Sequence, residues 1–251
     1  LLKKSSQSDT NFGFLYQIVR NAKIHNFAKT DLYYMNSEFF PYNEEIENQL
    51  IQLKKLIRLS MNGVASESMQ QLGYKVNYGV SLPRIKEIAG RFSKNHALAQ
   101  RLWSSGGREM MIMATLLQPE KSFPEKTALE WVSQCNNIEL VEQCCRNFFV
   151  RLPYANDLAA KMVVQEDKYK KATGYILCSL LLMQDRAGER ELPLFFEYAA
   201  KDILNESYVV YSSVVRFLKQ AGRVNRGAVL DFLSSISLDE EKVRCVREVV
   251  L

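Results

Sequence analysis

From Asn43 onward, apolar residues recur at helical intervals, and nowhere in the alternation that a half-buried strand requires. Ile46, Leu50, Leu53, Ile57 and Met61 are separated by four, three, four and four residues, which places them on one helix face at about 100° per residue. The same reading predicts further helices over 64–72, 82–92, 95–104, 107–117, 124–134, 137–151, 154–164, 167–184, 190–204, 206–221, 224–235 and 238–250. Several breaks have a physical signature. Ser81 can cap a helix with Pro83 in its first turn, where a missing N–H costs nothing, and Phe123-Pro124 and Leu152-Pro153 mark similar starts. Gly106-Gly107, Gly188 and Gly222 supply flexible or left-handed positions between helices.

From about residue 124 the predicted helices form antiparallel pairs, beginning near 124, 154, 190 and 224. An amphipathic pair cannot bury its apolar face alone, and pairs recurring at this interval stack into a solenoid. A globular bundle of four to six helices is the competing fold, but so many helices joined by short connections favour the solenoid. Of the 251 residues 47% are hydrophobic, enough for one sizeable core. No linker-like stretch interrupts the chain after Tyr42, so residues 35–251 are expected to form one helical domain. Residues 1–34 read as an N-terminal extension: either Met35 is the natural start, or a loosely attached helix carries Phe14, Ile18 and Ala22.

Several function classes fall away. The longest apolar run, Tyr175 to Met183, is about half of the roughly 20 residues that span a bilayer, and the first residues turn polar too soon for a secretory signal. Five cysteines, odd in number and without a Cys-x-x-Cys pair, read as reduced core residues of a cytoplasmic protein. Two histidines are too few for a histidine-based metal site or triad. A monomer without metal or organic cofactor is expected. The net charge of +5 suits an anionic partner but is modest for a dedicated nucleic-acid binder, so the placement of the cations decides.

They fall in three clusters: Arg84, Lys86, Arg91 and Lys94; Lys161, Lys168, Lys170 and Lys171; Arg216, Lys219, Arg223 and Arg226. Stacked repeats would align the clusters as a track for a phosphate backbone, with Tyr169, Tyr175, Tyr208 and Tyr211 nearby; solvated helix faces and packed tyrosines give the same pattern. The predicted helix after Asn137 adds a carboxylate pair. Ile138, Val141, Cys145, Phe148, Phe149 and Leu152 share one side, Glu142 stands at its margin, and Glu139 points further out as a helix-start or surface acid. A margin carboxylate can face a groove, or form an ordinary ion pair with Arg146 at i,i+4.

The segment Tyr78-Gly79-Val80-Ser81-Leu82-Pro83-Arg84-Ile85-Lys86-Glu87-Ile88-Ala89 resembles the entry motif of the DNA alkylation repair proteins, the AlkD-like HEAT-repeat alkylpurine glycosylases. Trp103, Arg108 to Leu117, and Trp131 through Glu142 follow in the family's order, and the resemblance covers about residues 43–250. It implies a right-handed α-α superhelix of HEAT-like antiparallel pairs, C-shaped, cradling duplex DNA on a basic concave face. It also implies hydrolytic release of N3- or N7-alkylated purines without metal or cofactor. A carboxylate near the deoxyribose would stabilise oxocarbenium charge. Carried over by position, that acid is Glu142, with Ile138 in place of a tryptophan and Glu139 in place of an aspartate. Lys171 falls where an arginine grips the backbone, Arg216 where a second aromatic is expected, and Lys219 one turn further. Lys170, Lys171, Arg216 and Lys219 are thus the expected phosphate ligands, with Tyr208 or Tyr211 bordering the lesion. The missing aromatics open an alternative: a non-catalytic scaffold that binds DNA structures, branched ones included, or proteins.

Overall fold

In the computed structural model, residues 42–187, 190–236, 244 and 246–248 are described. The expectations for residues 1–34, Met35, Gly188 and Cys245, and most of a helix over 238–250, lie outside the described residues. Twelve α-helices make up the described chain: α1 Glu44–Leu59, α2 Gly63–Gln71, α3 Leu82–Ala89, α4 His96–Ser104, α5 Arg108–Leu117, α6 Glu125–Gln134, α7 Ile138–Asn147, α8 Ala155–Val163, α9 Lys168–Met183, α10 Leu192–Asp202, α11 Tyr208–Val224 and α12 Arg226–Ser235. No strand occurs among the described residues, and none of their helices is long and apolar enough to cross a membrane.

Local chemistry sets most helix starts. The side chains of Asn43, Asn62, Asn95, Asn137, Asp167 and Asn225 each accept a hydrogen bond from a first-turn N–H, satisfying a donor that has no partner within the helix. Ser81 occupies the cap position of α3 without a side-chain bond, and Pro83 lies in the first turn as expected.

Three boundaries differ from the periodicity by three residues or more, the helix expected over 82–92 ending already at Ala89. The helix expected over 137–151 ends at Asn147 and is followed by a 3-10 turn, Phe149–Arg151. Phe148, Phe149, Val150 and Leu152 are all buried; consecutive positions on a straight helix diverge by about 100°, so one face could not cover them all. Conversely, α11 runs through Gly222 to Val224.

The helices form two rows. α3, α5, α7, α9 and α11 pack each on the next, and every second helix between them covers the row from one side, as α4 does on α5, α8 on α9 and α10 on α11. Hydrogen bonds between successive repeats show the register. Trp103 Nε1 donates to Gln134 Oε1 at 2.5 Å, Tyr154 OH to the Phe123 carbonyl at 2.7 Å, and Asn147 Nδ2 to Thr115 Oγ1 at 3.0 Å, spans of 31, 31 and 32 residues. Aromatic rings join the covering helices: Trp103 stacks on Trp131 at 3.9 Å, and Phe196 on Phe232 at 4.9 Å.

α9 is the centre of the stack, touching α6, α7, α8 and α11. Every residue from Lys171 to Leu182 is buried, which is why its apolar run shows no polar face. Gly174 lets α8 approach: a Cβ there would lie 2.5 Å from Val163 N and 2.9 Å from the Ala159 carbonyl oxygen. Both obstacles are backbone, so Gly174→Ala is expected to destabilise the protein by about 3 kcal/mol, read as a lower urea midpoint with an unchanged slope.

Candidate nucleic-acid interface

Asn137 caps α7, its Oδ1 accepting from Leu140 N at 2.8 Å, and the next two turns carry Glu139 and Glu142. The two acids have different surroundings. Glu139 accepts from Arg108 on α5 through both oxygens, Nε to Oε2 at 2.6 Å and Nη2 to Oε1 at 2.5 Å. Arg108 is buried and also donates to the Val80 carbonyl at 2.8 Å and to Glu109 at 3.0 Å. Glu109, wholly buried, accepts from the N–H groups of Tyr78 and Val80 at 3.1 and 3.2 Å. Gly79 turns between those donors at φ +66°, where a Cβ would lie 2.3 Å from the Asn62 carbonyl oxygen.

The Tyr78-Gly79-Val80 motif is therefore a clip on a buried carboxylate. Burial opposes the guanidinium charge of Arg108, but Glu139 and Glu109 outweigh it and hold its pKa above the ordinary arginine value. Burial, with the charge of Glu139 beside it, pushes the Tyr74 hydroxyl up to about 12. Glu139 is thus no surface acid but a tether between repeats. Sequence reasoning passed over Arg108 and Glu109, although a charged pair opening the apolar run Met110 to Leu117 is itself a sign of a buried ion pair.

Glu142 stands at the margin of the apolar stripe. Its Oε1 accepts from Arg216 Nη2 on α11 at 2.7 Å, across 74 residues of chain. The pairing is with Arg216 rather than with Arg146, one turn further along α7. One turn after Glu142, the buried Cys145 donates to the Thr173 carbonyl of α9 at 3.8 Å. The ion pair therefore spans α9 from one flank to the other. Burial pushes the Cys145 thiol well above its ordinary value, and both Glu142 and Arg216 act on it. The pair itself is open to water, with side chains 31% and 45% exposed.

Arg216 belongs to a stripe. Tyr208, Ser212, Arg216, Lys219 and Arg223 of α11 fall within about 80° of helical arc. Tyr208 is 77% exposed, and Arg216, Lys219 and Arg223 are exposed as well. Lys219 and Arg223 have no carboxylate partner among the described residues. Tyr211 lies off this stripe, partly buried against the core, and Lys170 is half-buried in the first turn of α9.

The remaining phosphate ligand expected from the sequence has a different place. Lys171 is 5% exposed, and its Nζ donates to Asp202 Oδ1 on α10 at 2.8 Å. Tyr175 OH donates to the other oxygen of Asp202 at 2.7 Å, and the Tyr198 ring lies 5.9 Å from the ammonium. Lys171 joins α9 to α10 inside the protein and offers no group to a phosphate here, because α9 is covered on every side. The other clusters are partly neutralised. Arg84 and Arg91 both pair with Glu87, Lys94 with Glu120, and Lys161 with Glu125. The four cysteines described are free and buried, and no group of three His, Cys, Asp or Glu that could hold a metal occurs among the described residues.

Comparison with known proteins accords with this architecture. Residues 53–247 match the family described as DNA alkylation repair enzyme. No curated protein matches the chain. One solved structure, described as from a new family of proteins related to the HEAT-like repeat DNA glycosylases with affinity for branched DNA structures, superposes with a TM-score of 0.68 at 15% identity. The match covers 79% of this chain and 92% of that one. A likeness at that identity speaks for the fold: an all-helical, HEAT-like repeat. With the paired rows, the repeat register and a match over most of its length, the chain belongs to the DNA alkylation repair enzyme family.

Proposed function

We propose that this protein binds duplex DNA, branched duplexes included, through the exposed face of α11, and that it does so without excising bases. The observation that carries the reading is the Arg216–Glu142 pair at 2.7 Å, set in a stripe whose other charges, Lys219 and Arg223, are cationic. A phosphate backbone is attracted by such a stripe. An alkylated purine is itself a cation, and a guanidinium bonded to the candidate acid repels it where an aromatic face would attract it. The affinity for branched DNA in the description of the structural neighbour supports the same reading.

Retention of a four-way junction and of a linear duplex at low salt tests it. Retention should fall steeply as salt rises, and Lys219→Glu combined with Arg223→Glu should weaken it at least about tenfold through charge reversal on the backbone-facing stripe. If the wild type retains no DNA at low salt, the reading fails. A second reading, excision of N3- or N7-alkylpurines, draws on Glu142 standing half-exposed at the family's acid position. Release of free base from a duplex carrying 7-methylguanine, lost in Glu142→Gln, would establish it in place of the first.

A further inference from the structure

We infer that Glu142 occupies a phosphodiester subsite on α11 and competes with DNA for Arg216, so that the candidate catalytic acid acts as an internal anion restraining binding. This rests on the DNA-binding reading and adds a role for a residue that reading leaves inert.

The contrast between the two glutamates of α7 carries the argument. Glu139 holds Arg108 through both oxygens, with the arginine side chain 4% exposed; no ligand can enter there. Glu142 holds Arg216 by Nη2 alone, with both side chains in contact with water. An exposed ion pair of this kind contributes little, because solvent screens it and two long side chains must be immobilised. A phosphate oxygen presents the same geometry to a guanidinium as a carboxylate oxygen does.

The surroundings favour the exchange. Lys219 and Arg223 follow Arg216 at i+3 and i+7 on the same face, and Arg146 follows Glu142 at i+4 on α7, exposed. An incoming backbone meets four cations and one carboxylate. The carboxylate is bonded to Arg216, the one of these cations that has a carboxylate partner among the described residues. Contact of Arg216 with a phosphate therefore requires it to leave Glu142, and breaking that pair lowers affinity.

A double-mutant cycle on the full chain tests this, using a fluorescein-labelled linear duplex at low salt and melting curves to confirm that each protein is folded. Glu142→Gln is expected to bind about fivefold more tightly than wild type, the upper range for releasing an exposed ion pair. Arg216→Gln is expected to bind more weakly. In the Arg216→Gln background the Glu142→Gln change should give no gain, because the competition has lost its object. A gain that persists without Arg216 would mean general charge reduction and overturn the inference, as would a folded Glu142→Gln protein binding no better than wild type. Those two results leave the DNA-binding reading standing. Absence of binding by all four proteins overturns both.

Discussion

Replacing Arg108 with methionine is expected to destabilise the protein by about 4 kcal/mol, the range for removing one partner of a buried charge pair. The guanidinium lies between two carboxylates and a carbonyl, and its removal leaves Glu109, wholly buried, without a compensating positive charge. The N–H groups of Tyr78 and Val80 still bond to Glu109, but two backbone dipoles do not neutralise an anion taken out of water. Glu139 loses its partner too, though it is partly exposed and regains water. The loss should therefore exceed that in Glu139→Gln, whose side-chain oxygen can still accept from Arg108. Urea unfolding of the two variants reads the difference. A loss of less than about 1 kcal/mol in Arg108→Met would show that the clip over Tyr78-Gly79-Val80 stands without its charge.

Asp202→Leu should have a comparable effect, about 3–5 kcal/mol, for the mirror reason. Lys171 would keep a buried ammonium with no carboxylate, and Tyr175 OH would lose its acceptor. Burial and the Asp202 carboxylate raise the Tyr175 pKa far above that of a free tyrosine, so the hydroxyl serves as a donor in the native protein. Adding Lys171→Met to Asp202→Leu should recover most of the loss, since a matched apolar pair removes the unpaired charge. Were the double variant no more stable than Asp202→Leu alone, the damage would lie in packing between α9 and α10 rather than in electrostatics. DNA retention by the folded double variant should be close to wild type, because Lys171 does not reach the exposed face.

The family resemblance was legible in Tyr78 to Ala89 because Gly79 and Pro83 are backbone requirements: one a positive φ against Asn62, the other a first-turn proline. The reason for the motif was not, since the carboxylate it clips belongs to Glu109, about one repeat away. Glu142 could be placed at the margin of its stripe from spacing alone. Its partner could not, because Arg146 at i+4 and Arg216 on α11 satisfy the same electrostatic rule, and choosing between them requires knowing that α7 and α11 both flank α9. Lys171 shows the opposite failure. Its neighbours Lys168 and Lys170 suggested a solvated basic turn, yet α9 is enclosed from Lys171 onward.

Periodicity, capping asparagines and glycine conformation act over a few residues, so the helices, most of their ends and the repeat interval can be read along the chain. The partners of Arg108, Lys171 and Arg216 are set by stacking across 31, 31 and 74 residues, where burial decides whether an ion pair is a strut or an exchangeable contact. Arg108 and Lys171 became struts because helices close over them. Arg216 and Glu142 stayed open to solvent because nothing closes over the pair, whose side chains are 45% and 31% exposed.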